Sequence, residues 1–147
     1  MYKKILVPLD GSSASEAILS HVENLAQRGD SALYFLEVLE PLPQHAAAGA
    51  PSMFAEGAGQ RAADIKHYVH DMAEKFSAQG LTAEALVRRG AVVDTILHTA
   101  DELGVDLIAM ATHGHSGFAR FLYGSVAADV LHRAKAAMLI LRIEPTD

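Results

Sequence analysis

A chain of 147 residues, half of them hydrophobic and 20% charged, suits one ordinary domain around one core and excludes a chiefly disordered or fibrous protein. Its 12 Lys and Arg stand against 18 Asp and Glu, a formal charge of −6 with no basic run, which argues against DNA or RNA as a partner. With no Cys there is no disulfide framework, thiolate metal site or Cys nucleophile.

The first apolar run, Lys3 to Leu9, predicts a strand. Asp10 and Gly11 cut it too early for a signal segment, and no stretch approaches the ~20 apolar residues that cross a bilayer, so a cytoplasmic protein without a membrane partner is expected. A helix follows, capped by Ser13 with Glu16 reaching back, lined by Ala14, Ala17, Ile18, Val22 and Leu25, and stopped at Gly29. A second strand runs from Ala32 to Leu39. The Pro- and Gly-containing segment after it reads as a long mobile loop, about 40–59.

A second helix presents Ile65, Val69, Met72, Ala73 and Phe76 and closes at Gly80. Leu81, Ala83, Ala85 and Val87 then alternate with polar residues, the pattern of an edge strand with one wet face. Val93, Ile96, Leu97, Ala100 and Leu103 make a third helix, 106–112 a fourth strand, 125–134 a fourth helix and Ala136 to Arg142 a fifth strand. Strands alternating with helices predict an α/β fold, one domain over 1–147. Right-handed crossovers then favour a doubly wound, five-stranded parallel sheet in the order 3-2-1-4-5, with helices on both faces. Connections from strands one and four diverge in that order, which opens a crevice at their C-terminal ends. The fifth strand is smooth, apolar and at an edge, so a homodimer through Ala136 to Arg142 is expected.

Two loops therefore face the crevice, 9–13 and 112–125. The second holds Gly114, Gly117 and Gly124, then Ser125, before a helix, which suits backbone N–H donation to an anion. A plain turn at Gly114 and a plain cap at Ser125 read equally well from the pattern. His113 and His115 flank Gly114 and Arg120 follows, all donors that suit phosphate. Other signatures fail: Gly57 to Ala62 spells G-x-G-x-x-A but follows no strand, no Gly-Lys-Ser/Thr exists, and Phe118 spoils a nucleophile elbow. His67 and His70 share a helix face with no third ligand, so no metal site is expected of the chain.

The opening Ile5-Leu6-Val7-Pro8-Leu9-Asp10-Gly11-Ser12, with Gly114, nine residues, Gly124 and Ser125, resembles the universal stress protein family over essentially the whole chain. The likeness is to its nucleotide-binding branch, whose pattern is Gly, two residues, Gly, nine residues, Gly-Ser/Thr; the first Gly is Ala111 here. The resemblance implies an adenine nucleotide as partner. Asp10 would take the ribose hydroxyls, and the backbone near Pro8, Leu9 and Val38 would frame adenine. Met110 and Ala111 would lie against the sugar, with Gly114, His115, Gly124, Ser125 and Val126 around the phosphates. ATP is expected, with AMP or ADP as alternatives, and Mg²⁺ carried on the phosphates. No general base stands beside the phosphates, so no catalytic residue is assigned and hydrolysis should be slow or absent. The expected function is a nucleotide-dependent stress-response switch acting on an unidentified regulatory protein. A nucleotide-free interaction module of the same family and a true ATPase or phosphatase are the alternatives.

Overall fold

The computed structural model describes residues 1–41, 51–113 and 124–143, the side chains of 51–58 and 113 excepted. Five parallel strands form its sheet: β1 (Lys4–Leu9), β2 (Ala32–Leu39), β3 (Thr82–Arg89), β4 (Leu107–His113) and β5 (Ala137–Ile143). Their order is β3-β2-β1-β4-β5, the order that the sequence predicts. The helices are α1 (Leu19–Gly29), α2 (Pro51–Ala78), α3 (Val92–Leu103) and α4 (Gly124–Arg133), with a short 3-10 turn, Ser15–Ile18, ahead of α1. None is long and apolar enough to cross a membrane among the described residues.

Alternation along the strands divides the core between the two sheet faces. Ile5, Val7, Leu33 and Phe35 pack with Ile18 and Val22 of the first helical segment and with Met72 and Phe76 of α2. Leu6, Leu36, Ile108 and Met110 pack on the other face with Ile96 and Ala100 of α3 and Val130 of α4. The rings of Phe35 and Phe76 lie 5.0 Å apart at 54°, the tilted contact that aromatic quadrupoles favour.

Three local expectations change. The start of the first helix is a 3-10 turn, and Ser13 makes no capping bond; Ser12 takes that part, its Oγ accepting from the Ser15 N–H at 3.1 Å. The tighter turn resets the helical phase, so Ala17 is exposed and Ala26 is buried instead. The left-handed residue ending α1 is Asp30, at φ 52°, rather than Gly29, which is the helix's last residue and is packed under Met1 and Tyr2. The third change is larger: α2 begins at Pro51, inside the segment read as loop. Proline costs nothing at a helix's first position, and two glycines weaken a long helix without ending it. The expected mobility of 42–50 lies outside the described residues.

Gly90, between β3 and α3, adopts φ 146°, and a Cβ there would stand 2.6 Å from Thr95 Oγ1. Gly90→Ala is expected to cost about 1–3 kcal/mol, read as a lower urea midpoint at unchanged slope.

Candidate functional site

The sheet itself opens the crevice. β1 pairs with β2 along its whole length, from Lys4 opposite Ala32 to Leu9 opposite Glu37. With β4 it pairs only at Ile5 opposite Leu107 and Leu6 opposite Ile108, so the ladder between the two central strands stops well short of their C-terminal ends. Pro8, which has no N–H to donate, lies beyond the break. Helices α3 and α4 each follow a strand and so start at this edge of the sheet, where their unpaired N–H groups favour negative charge.

Pro8, Leu9 and Asp10 from β1 and its end line one hollow here together with Val38 of β2. Leu36, Glu37, Arg61 of α2 and Val92 and Ile96 of α3 complete its wall. A second hollow, about 560 Å³, shares Val92 and is bordered by Glu40, Ala91, Asp94 and Val126. Four of the sequence-predicted site residues, Pro8, Leu9, Asp10 and Val38, are thus brought together, and Val126 lies at the adjoining hollow. Gly124 and Ser125 are exposed at the start of α4. Met110 and Ala111 are wholly buried in β4, Met110 in the core under α3 and α4 and Ala111 in the core under α1 and α2. The methyl group that departs from the Gly pattern is therefore packed inside the protein. Gly114, His115 and Arg120 lie outside the described residues, as does the His113 side chain.

A serine network fixes Asp10. Its Oδ1 accepts from the Ser12 N–H at 2.9 Å and from the Ser12 hydroxyl at 2.5 Å. The Ser15 hydroxyl donates to the Ser12 carbonyl at 2.9 Å, and the Asp10 N–H points to Ser15 Oγ at 3.4 Å. Short polar side chains that bond their own backbone in this way hold a turn in one conformation, and this one presents the carboxylate at the mouth of the hollow.

Sequence reasoning missed Glu37. On β2 it occupies the α1/α2 face, is only 6% exposed, and has an Oε2 with no hydrogen-bond partner among the described residues. Burial, and then the neighbouring Asp10 carboxylate, push its carboxyl from the ordinary 4.5 up to about 7, against the pull of the Arg61 guanidinium. Tyr68 of α2 stands close by, its buried hydroxyl near Ser15 and without a hydrogen-bond partner among the described residues. Burial, with Glu16, Glu37 and Asp10, raises its titration above the ordinary phenol value. One signal was legible: an acid amid the otherwise apolar run Ala32 to Leu39.

The G-x-G-x-x-A spelling falls inside α2, where no strand precedes it. His67 and His70 each meet one acid of the same exposed helix face, Asp71 at 3.1 Å and Glu74 at 3.2 Å. No group of three or more His, Cys, Asp or Glu converges as a metal site among the described residues.

A model of the universal stress protein family matches residues 1–142. A universal stress protein of Methanocaldococcus jannaschii is 30% identical over 144 residues, 97% of this chain and 83% of that one. The solved universal stress protein UspA from Lactobacillus plantarum superposes with a TM-score of 0.79 at 24% identity, covering 96% of this chain and 98% of its own. A solved universal stress protein in complex with cAMP gives a TM-score of 0.68 at 26% identity, covering 96% and 97%.

Proposed function

This chain belongs to the universal stress protein family, and from that premise we propose that it is an ATP-binding regulatory switch with slow or no hydrolysis. The observation that carries this reading is a rigidly held Asp10 at the mouth of a hollow beyond the C-terminal ends of β1 and β2, on the strand whose ladder to β4 ends early. A relative captured with cAMP supports an adenine nucleotide as the occupant.

The residues fit such a guest. The hollow at Asp10 holds only about 40 Å³, so a purine would extend into the adjoining 560 Å³ hollow, where half-buried Val92 and Val126 give it apolar contact, and the Asp10 carboxylate suits the ribose hydroxyls. Gly124 and Ser125, exposed at the start of α4, offer N–H groups and a hydroxyl for phosphate oxygens, with Gly114, His115 and Val126 as the remaining phosphate neighbours in this reading. At Met110 and Ala111 the contact with the sugar is by backbone alone, since both side chains belong to the core. Mg²⁺ would travel with the phosphates, neutralise their charge and need no carboxylate cage of its own. The setting in this reading is the cytoplasm, and the output passes to another protein.

Calorimetry on nucleotide-stripped protein tests the reading. ATP should give a saturable heat, and phosphate release with Mg²⁺ should amount to only a few turnovers per hour, on the order expected when no base activates the attacking water. No heat from ATP, ADP or AMP would favour the nucleotide-free interaction module, and many turnovers per minute would favour an enzyme.

We also propose that two copies pair through β5. It is the outer strand of the sheet, its residues 138–141 are half-buried, and Met138 and Leu139 border a hollow of about 420 Å³ with Leu25 of α1. An unguarded apolar edge of this kind is commonly covered by its own copy about a two-fold axis. Sedimentation at micromolar concentration should show a dimer; a monomer there removes the proposal.

A further inference from the structure

Glu37 is the one acid of the hollow for which the nucleotide reading has found no work. A carboxyl oxygen that is more than nine-tenths buried and lacks a partner carries a desolvation cost that a bound group with hydrogen-bonding capacity would relieve. Its position says where that group sits. Glu37 lies opposite Leu9 in the β1–β2 register, and its Oε1 is 3.6 Å from the point where a Cβ on Gly11 would stand, so it reaches beneath the turn that carries Asp10. At Gly11, φ is +83°, a conformation that favours glycine in this turn.

We propose that Glu37 is a second ligand-contacting carboxyl of this hollow, paired with Asp10 to hold the two neighbouring hydroxyls of a ribose. The inference rests on the nucleotide reading above and adds the selectivity of its sugar subsite.

The chemistry of the pair fits a diol better than it fits a cation. Two carboxylates would suit a divalent ion, but the Arg61 guanidinium borders the same hollow, and Glu37 holds its proton up to neutral pH. Asp10 then accepts while the Glu37 acid donates, and each sugar hydroxyl can do both. A hydroxyl that donates to Asp10 and accepts from Glu37 satisfies both groups, and a sugar lacking that hydroxyl leaves the buried acid unpaired. The groups acting on Glu37 are Asp10 at the end of β1 and Arg61 of α2, while Glu37 itself, with Glu16 of the 3-10 turn and Asp10, acts on Tyr68 of α2. Raising the pH through 7 ionises Glu37, removes its donated bond and sets two negative groups side by side, so ribose selectivity should fade as the solution becomes alkaline.

The test is the ratio of affinities for ATP and 2′-deoxy-ATP, measured on the full chain at about pH 6 and about pH 8.5, either side of the Glu37 titration. Taking the ratio cancels the titration of the phosphates, which both ligands share. The wild-type protein should favour ATP by about tenfold at the lower pH and clearly less at the higher one. Glu37→Gln, which keeps a donor and cannot ionise, should hold its preference at both; Glu37→Leu should show at both only the smaller preference that Asp10 alone supplies, with no change between the two pH values. A wild-type ratio near one at the lower pH overturns the proposal, and so does a Glu37→Leu protein that retains the wild-type ratio and pH profile. If Glu37→Leu fails to fold, Glu37→Gln decides alone: a ratio that still falls with pH refutes the role. In all of these outcomes ATP still binds, whereas failure of the nucleotide reading itself shows as no binding of either nucleotide by the wild-type protein.

Discussion

Asp10→Asn is expected to weaken ATP binding by about 10- to 100-fold, while the protein melts within a few degrees of the wild type. The variant is chosen because Oδ1, the atom that accepts both Ser12 bonds, has an isosteric counterpart in the asparagine carbonyl. The turn from Asp10 to Ser15 should therefore survive, and what changes is the charge and acceptor strength presented to the ligand. A hydrogen bond to a charged group contributes about 1.5–3 kcal/mol, which corresponds to the loss given above. The same substitution should lower the Glu37 titration, because the Asp10 carboxylate is the second largest cause of its rise. Calorimetry reads the first effect and a carboxyl titration followed by NMR the second. Unchanged affinity would place the sugar away from Asp10; unchanged titration would assign the rise in Glu37 to burial alone.

The topology was legible because it follows from period and order. Strands β1, β2 and β4 read as short, nearly continuous apolar runs and β3 as an alternation, and the handedness of crossovers left few ways to arrange them. The Asp10 side of the candidate site came from two sources: a resemblance named the residue as an expectation, and the strand order predicted the crevice beside it. Three things were hidden, each by its own physics. The start of α2 carries Pro51, Gly57 and Gly59, residues whose local preference speaks for a loop, and a 28-residue helix overrides that preference. The burial of Ala111 depends on which face of β4 meets α1 and α2, and a motif reads it only as a missing glycine. Glu37 stands out in sequence only as an acid within an apolar interior strand, since nothing in Leu36-Glu37-Val38 states what it will meet under α2. Only the register that sets Glu37 opposite Leu9 places it beneath the Asp10 turn.

Replacing Glu37 by Gln should also change how stability depends on pH, and the sign is opposite to that of an ordinary ion-paired acid. The folded-state carboxyl titrates at about 7 and the unfolded one at the ordinary 4.5. Between those values the folded protein keeps a proton that the unfolded chain has released, so the wild type loses stability as pH rises from about 4.5 to about 7 and is level beyond. The loss is on the order of 3 kcal/mol, or about 6–12 °C in melting temperature for a chain of this size. Glu37→Gln cannot ionise and should be flat through that window, equal to or below the wild type at its acid end and above it near pH 8. Asp106 does not blur the comparison. Burial works against its ionisation, but the N–H groups of Lys3 and Lys4 donate to it at 2.9–3.1 Å and hold it below its ordinary 3.8, so its contribution is lost only as pH falls further. Thermal melts of both proteins across the window give the answer directly, and a Glu37→Gln protein with the wild-type slope would show that the titrating group is another residue. A gain in stability from removing an acid that lines the hollow, coupled to a change in sugar selectivity, is the signature of a residue retained for binding at a cost to folding.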